Sequence, residues 1–589
     1  MRPAGSGRRR LPGMRLRESS WCSSGHGACG LPRASTLPDP GSARYAVRRK
    51  ADSPGQPADA VRCLSAHGGA RAIRVHQPRR RSDPMRISPL TAAAAMAFLT
   101  APLPLTAQEP AAARPTNTPL AIVGATIIDG NGGPPLADGT LLIEGNRITA
   151  VGPSLSIEVP EGFQVIDGAG RYVTPGFIDT NVHLSLYSGH ETLVRYQDRN
   201  AALTLEAAQM QLKHGFTTVR DSYGSLLPLM EIRDAIARGD TVGPRMLVAG
   251  NIVGWGGPWS ISFSVIRQQG LTLFQEQFND FITQGSGEEW MEMEPEELRA
   301  AVNEYLDLGP DFIKYGGTGH FSNPVMIGFS PEAQRVMVEE THKRGLIAET
   351  HSTSPEGLWM SVRAGLDLIQ HPEVLTKEMP DALVAEIAER GIVCSMLANT
   401  ITGEAWERHL ERRESSEGGD EEAGSRRRDG LEKTSAEMRA ERRAQGEGME
   451  IRRRNAEKLI AGGCVTTIGT DNYLGAAPEF RREKKLENQS FGFGSVIATE
   501  GLVELGMTPM EAIVAVTRNG AIASGMLDEL GTLEAGKFAD VLVLGANPLE
   551  DIANIRALEA VIRDGRIVDR DALPYERIFS TPGKGHAWE

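Results

Sequence analysis

Six side chains suited to holding or polarising a reactive group stand at or near the ends of short apolar runs. Asn181 and His183 close residues 177–183, and Lys314 lies in 312–315. His351 closes 346–351, His371 closes 368–371 and Asp471 closes 465–471. Imidazole, carboxylate and amide oxygen bind metals and carry protons, so the chemistry open to such a set is metal-assisted hydrolysis. In a strand, residues i and i+2 share a face, which points Asn181 and His183 one way and Thr180 and Val182 the other. A lone histidine at a strand end is ordinarily structural. Three of them, with a lysine and an aspartate, resist that reading because burying charge without a partner is costly. Lys314 needs its own account. As an ammonium it would repel a cation, and an ion pair with Asp471 or Asp311 is then its simplest role. After reaction with carbon dioxide it becomes a carbamate, an anionic oxygen ligand able to bridge two metals.

The elements that must position these residues alternate. Eight candidate strands (177–183, 217–221, 245–252, 312–315, 346–351, 368–371, 392–397 and 465–471) are separated by helical patterns that include 203–213, 295–308, 332–344, 380–390 and 452–461. Alternation of this kind predicts an α/β fold, and eight units predict a (β/α)8 TIM-type barrel, whose active site is built at the C-terminal ends of its strands. Residues 255–294 read as a long loop over those ends. Residues 403–454, almost all Glu, Arg, Lys, Asp, Gly and Ser, read as a solvated helical hairpin or partly disordered insertion, with a lid over the site as the alternative. Short strands and turns at 121–129, 139–144, 147–151 and 164–167 recur in style at 537–544 and 560–568. They predict a small composite β-sandwich domain built from both ends of the mature chain. The domain plan is 118–173 with 532–575 for the β-domain, and 174–531 for the barrel carrying the charged insertion 403–454.

Composition narrows the function. The chain has 589 residues, more than one core usually supports. Residues 1–107 carry net charge +13 and the remainder −26, and an acidic body of that size argues against nucleic acid or an anionic membrane as partner. Residues 1–84, rich in Arg, Pro, Gly and Ser without apolar periodicity, read as a disordered basic extension. Residues 85–107 have the form of a signal peptide: Arg86, an apolar stretch, then Thr106-Ala107. A signal belongs at an N-terminus, so the expectation is that translation starts at Met85, with a periplasmic or secreted product and no stable membrane insertion after cleavage. Three of five cysteines lie in the basic head, leaving Cys394 and Cys464, which supports neither a disulfide framework nor a cysteine zinc site. A Gly-x-Ser-x-Gly elbow and a Walker loop are both absent, which removes acyl-serine and NTPase readings.

The motifs resemble those of the amidohydrolase superfamily, in the branch of imidazolonepropionase-related enzymes and Xaa-Pro dipeptidases. The resemblance is carried by Pro175-Gly176-Phe177-Ile178-Asp179 before Asn181-x-His183, by Gly215–Asp221, by Asp311-Phe312-Ile313-Lys314, by Glu349-Thr350-His351-Ser352, by Ala364–His371, by Ile468–Asp471 and by Gly536–Asp540, and it covers 118–570. It implies one or two divalent ions, with zinc the expected metal. His183 and Asp471 would bind the first, His351 and His371 the second, with Lys314 bridging as a carbamate derived from carbon dioxide. Asp471 would also accept the proton of an attacking water and pass it to the leaving nitrogen. The implied substrate is a small amide or dipeptide; a cyclic amide of imidazolone or hydantoin type is the alternative, and a homo-oligomer is compatible with the family. Two departures stand out. Asn181 occupies the first His of His-x-His, an amide oxygen being a weaker zinc ligand than imidazole, so a degenerate barrel that only binds is the reading from another class. Gly256-Gly257-Pro258-Trp259 stands where relatives carry Gly-Gly-His, which leaves His320 and Tyr315 as candidate substrate contacts.

Overall fold

The computed structural model describes residues 117–186, 196–260, 262, 271–322, 325–418, 435–474 and 487–580. Residues 1–84 and 85–107, read above as a basic extension and a signal peptide, lie outside them. Within them, parallel strands and helices alternate. One parallel sheet runs, in spatial order, Asn472–Tyr473, Phe177–His183, Phe216–Asp221 and Arg245–Val248. A second runs Val465–Ile468, Val393–Met396, Leu368–Gln370, Ile347–His351, Phe312–Gly316 and Ile252–Val253. Residues 245–253 and 465–473 each contribute to both sheets. These strands are covered on both faces, which is why they read as continuous apolar runs rather than as alternating ones; all seven residues of Phe177–His183 are buried.

The helices follow local signals. Ser330 and Ser354 accept from the backbone N–H groups of Ala333 and Gly357, and Pro331 and Pro355 take the first helical positions of Pro331–Lys343 and Pro355–Ala364. The second of these ends on Gly365, whose φ of 93° would strain any residue with a Cβ. Pro380, expected to open a helix, is instead the cap before Asp381–Glu389. Among the described residues no helix is long and apolar enough to cross a membrane.

Strands from both ends of the described chain share one eight-stranded sheet. Leu120–Ile127, Leu136–Glu144, Arg147–Pro153, Gln164–Asp167 and Tyr172–Pro175 join Val541–Leu544, Leu558–Arg563 and Arg566–Ile567. The sheet encloses its own core of Leu120, Ile122, Leu141, Ile148, Val541, Val543 and Ile562. Its outer strand returns against 536–539, where Ile148 N–H bonds the Lys537 carbonyl and Gly536 N–H the Ile148 carbonyl.

Four expectations need correction. Residues 255–294 are not all loop: Leu273–Thr283 is a helix, started by a capping box in which Thr272 and Gln275 satisfy each other's backbone N–H. The insertion carries two helices, Gly403–Gly418 and Ser435–Ala461, in keeping with the helical reading; what changes is the helix expected at 452–461, which begins at Ser435. Cys394 and Cys464 form a disulfide, their Cα atoms 6.2 Å apart, because their strands are adjacent and Cys394 is in register with Thr466. Finally, Thr180 does not point away from its neighbours' work: the pairing register shifts between Asp179 and Val182, and the Thr180 hydroxyl lies 2.8 Å from that of Ser395 and donates to the Ile468 carbonyl at 2.7 Å.

Candidate active site

The strand ends bring five of the six predicted residues together in two groups, with the sixth, Lys314, acting on both. In the first, His183 Nε2 lies 2.8 Å from Asp471 Oδ1, and Asn181 Nδ2 donates to the same oxygen at 3.2 Å. In the second, His351 Nδ1 and His371 Nε2 are 3.1 Å apart. Lys314 is 1% exposed and acts electrostatically on His183, His351, His371 and Asp471. His371 and Asp471 lie just past the ends of their strands, with φ of 38° and 55°. Such backbone is costly for residues with a Cβ and recurs where a side chain must be aimed.

Burial sets the protonation of the histidines. It lowers His183, takes His351 well below its ordinary range and brings His371 down to about 3. All three are neutral at pH 7, the form that binds metal. Burial pushes the Asp471 carboxyl up, but the hydrogen bond from His183, the charge His183 and His371 would carry in acid, and Lys314 hold it well below the usual range, so it remains a carboxylate.

Three ligand-type atoms in this cluster are buried without a hydrogen-bond partner: Asn181 Oδ1, His183 Nδ1 and His351 Nε2. Orphaned polar atoms are rare in protein interiors and demand an explanation, and divalent cations would satisfy an amide oxygen and imidazole nitrogens of this kind. Among the described residues no group of three or more His, Cys, Asp or Glu forms a metal cage. The imidazole and carboxylate donors come in two pairs, and each needs Asn181 or Lys314 to extend it. On donor chemistry the residues fit a metal.

Behind the ligands stands a framework that strand-end reasoning missed. Asp179 is wholly buried and accepts four hydrogen bonds: from Asn181 N–H (3.1 Å), Thr470 N–H (3.3 Å), the Thr470 hydroxyl (2.8 Å) and the Ser495 hydroxyl (2.7 Å). Asp221, also buried, accepts from Leu184 N–H at 2.6 Å and Tyr223 N–H at 3.3 Å. Two buried aspartate side chains thus grip the backbone on either side of Asn181 and His183. Arg220 pairs with Glu349 at 2.6 Å, its guanidinium 3.7 Å above the Phe312 ring, and Gln370 Nε2 donates to Glu349 and to the Thr180 carbonyl, each at 3.0 Å. Charged residues inside otherwise apolar runs were the available signal.

Of the two candidate substrate contacts, only His320 joins the site. Its ring stacks 5.8 Å from His351. Tyr315 belongs to the main hydrophobic core with Leu358 and Val362; it follows Lys314 directly in the strand and so takes the opposite face. Trp255, unanticipated, lies 4.7 Å from His351 and 5.7 Å from His320, ring centre to ring centre, and Tyr223 stands 5.9 Å from Trp255 and 6.0 Å from His183. Trp255 fits because residue 316 is glycine: a Cβ there would collide with the indole nitrogen, which donates to the Thr318 carbonyl at 3.1 Å.

Known proteins resemble this chain in sequence and fold. The Amidohydrolase family model aligns with residues 172–568. Ochratoxinase of Aspergillus niger is 23% identical over 462 residues, which cover 75% of this chain and 84% of that enzyme. The structure of molinate hydrolase superposes with a TM-score of 0.69 at 29% identity, covering 79% of this chain and 98% of that one. Phenylurea hydrolase B gives 0.67 at 31%, covering 79% and 99%. The chain therefore has a TIM-barrel-type α/β fold and belongs to the amidohydrolase family, as a hydrolase of carbon–nitrogen bonds.

Proposed function

We propose that this chain is an exported, metal-dependent amidohydrolase that cleaves the amide or peptide-like C–N bond of a small molecule. The observation that carries the reading is the convergence of Asn181, His183, Lys314, His351, His371 and Asp471 with three buried donor atoms left unpartnered. His183, the Asn181 amide oxygen and Asp471 would hold one ion, His351 and His371 a second, and Lys314 would bridge as a carbamate. A divalent ion bound there supplies Lewis acidity, bringing the pKa of water to about 7 and polarising a carbonyl.

The chain's own residues do the rest. Asp471, held ionised beside His183, accepts the proton of the attacking water and returns it to the departing nitrogen. Asp179 and Asp221 fix the backbone around Asn181 and His183, so these side chains need not reorganise as charge develops. Near-complete burial of His183, His351 and His371 keeps bulk water from competing.

The strand pairings support a closed eight-stranded ring, since 245–253 and 465–473 link the two parallel sheets, with the shared eight-stranded sheet as a composite β-domain beside it. The Cys394–Cys464 disulfide supports export, because such bonds persist in oxidising compartments. Metal analysis of purified protein, combined with a hydrolysis screen over dipeptides, N-acyl amino acids and cyclic amides, tests the reading. Metal near one or two equivalents with chelator-sensitive hydrolysis is expected. Protein without metal and without turnover would leave only a binding scaffold.

A further inference from the structure

Arg452, Arg453 and Arg454 are consecutive on the helix Ser435–Ala461, yet they have different surroundings. Arg453 donates to the Ile401 carbonyl at 2.8 Å and pairs with Glu504 at 2.7 Å; Arg454 pairs with Glu378 at 2.8 Å. No carboxylate among the described residues pairs with Arg452, and its Nε is buried without a hydrogen-bond partner. Its neighbours show which way this part of the helix faces. Gly448, Arg452, Asn455 and Leu459 fall on one stripe by their spacing of four, three and four. Gly448 lies against Leu375; the Asn455 amide donates to the carbonyls of Val374 (2.7 Å) and Lys377 (3.0 Å) and accepts from Met379 N–H (2.8 Å); Leu459 is fully buried. Residues 374–379 are the chain leaving the sixth strand directly after His371. The stripe that carries Arg452 is therefore fastened beside the site, and the positive charge of Arg452 is felt at His371, His320 and Glu373.

An unpaired, partly buried guanidinium is an expensive feature. The buried Nε–H keeps its cost until an acceptor reaches it. Glu373 relieves it only through space: the Glu373 side chain is buried, one oxygen accepts from Leu397 N–H at 2.8 Å, the other has no hydrogen-bond partner, and no ion pair joins it to Arg452. The rest of the molecule makes a local cation necessary for an anionic ligand, because residues 108–589 carry net charge −26. The guanidinium fork matches one planar anion above others, the carboxylate.

We propose that Arg452 is a specificity residue that binds the free carboxylate of the substrate, so that the preferred amides are those of N-acyl amino acids or the C-terminal residue of dipeptides. This rests on the amidohydrolase reading of the same site. The charged insertion then reaches the substrate through its inner face, while its outer face is solvated and ion-paired.

The test uses the mature enzyme with its metal and a panel of N-acyl amino acids, each paired with its methyl ester, which removes the negative charge and leaves the scissile amide intact. The wild type should prefer the acids by on the order of 30-fold in kcat/KM. In Arg452→Gln the preference should collapse toward one, mainly through KM for the acids, and Arg452→Lys should fall between. Melting temperatures within a few degrees of wild type show that the variants fold. Equal losses on acid and ester would mean a structural role and overturn the proposal. Hydrolysis of both by the wild type without preference overturns the proposal and leaves the amidohydrolase reading standing, whereas hydrolysis of neither, in this panel or among other amides, removes both.

Discussion

Arg220 and Glu349 form an ion pair of 2.6 Å in which neither side chain has any exposure, and Glu349 is the direct register neighbour of Lys314 on the adjacent strand. The pair lies across the strands beneath the site. Removing one partner strands a charge in the interior, whereas removing both does not. Arg220→Met is expected to cost about 3–5 kcal/mol of unfolding free energy, and the double variant Arg220→Met/Glu349→Leu to recover much of that loss. Urea denaturation of the wild type, Arg220→Met, Glu349→Leu and the double variant checks it; a double variant as weak as the sum of the singles would mean that the two residues act independently.

The alternation of strand and helix was legible because parallel strands buried on both faces leave continuous apolar runs, and the polar residues that interrupt those runs at their C-terminal ends mark the site. The run 177–183 has the expected bounds and Phe312–Gly316 extends the expected one by a residue. What escaped was decided by distance in the sequence or by irregular backbone. The indole of Trp255 meets His351 across ninety-six positions, and only the absent Cβ of Gly316 makes room for it. The inward turn of Thr180 comes from a register shift that leaves no mark on residue types. Tyr315 is a different case. Strand alternation alone places it opposite Lys314, so its removal from the site follows from a rule already available.

Glu340 gives the molecule an acid-sensitive clip between two helices. Burial pushes its carboxyl up, but hydrogen bonds from Lys343, Asn303 and Arg299 hold it down to about 2. A carboxylate whose folded pKa is depressed contributes stability that is full above its unfolded pKa, near 4.5, and is lost as pH falls through the folded value. Glu340→Gln should therefore be less stable than wild type by about 1–2 kcal/mol at pH 7, a figure discounted for solvent around the partner side chains. The gap should close between pH 4.5 and 2. Thermal unfolding of both proteins across that range would show it, and a gap independent of pH would remove the ion pair as its cause.

Lys314 tests the bridging role directly. It is the wholly buried cation beside both histidine groups, and as a carbamate it would serve two ions at once. Lys314→Ala is then expected to weaken both metals together and to lower turnover by on the order of 10³-fold or more, in the range seen when one strong electrostatic contributor is removed. Elemental analysis after dialysis against a weak chelator gives the metal count. A variant that keeps full metal content and turnover would rule the bridge out.

Asn181 poses the sharpest question. Its Nδ2 donates to Asp471 at 3.2 Å while its Oδ1 is buried without a partner, and its Cβ lies so close to Gly469 that a side chain at that position would crowd it. The amide thus does two things at once: it restrains the proton-carrying carboxylate and offers a modest ligand oxygen. An imidazole offers a better donor to zinc, but its two nitrogens point apart and would not reproduce the closely spaced donor and ligand atoms of the amide, so the hydrogen bond to Asp471 changes. Asn181→His is therefore expected to raise affinity at the first metal position by on the order of tenfold, about 1.4 kcal/mol, while activity on the native substrate falls or shifts. Competition titration with a metallochromic chelator measures the first and steady-state kinetics the second. Tighter metal together with faster turnover would mean that the amide is a defect; tighter metal with slower turnover would mean that the hydrogen bond to Asp471 matters more to the reaction than the strength of the ligand.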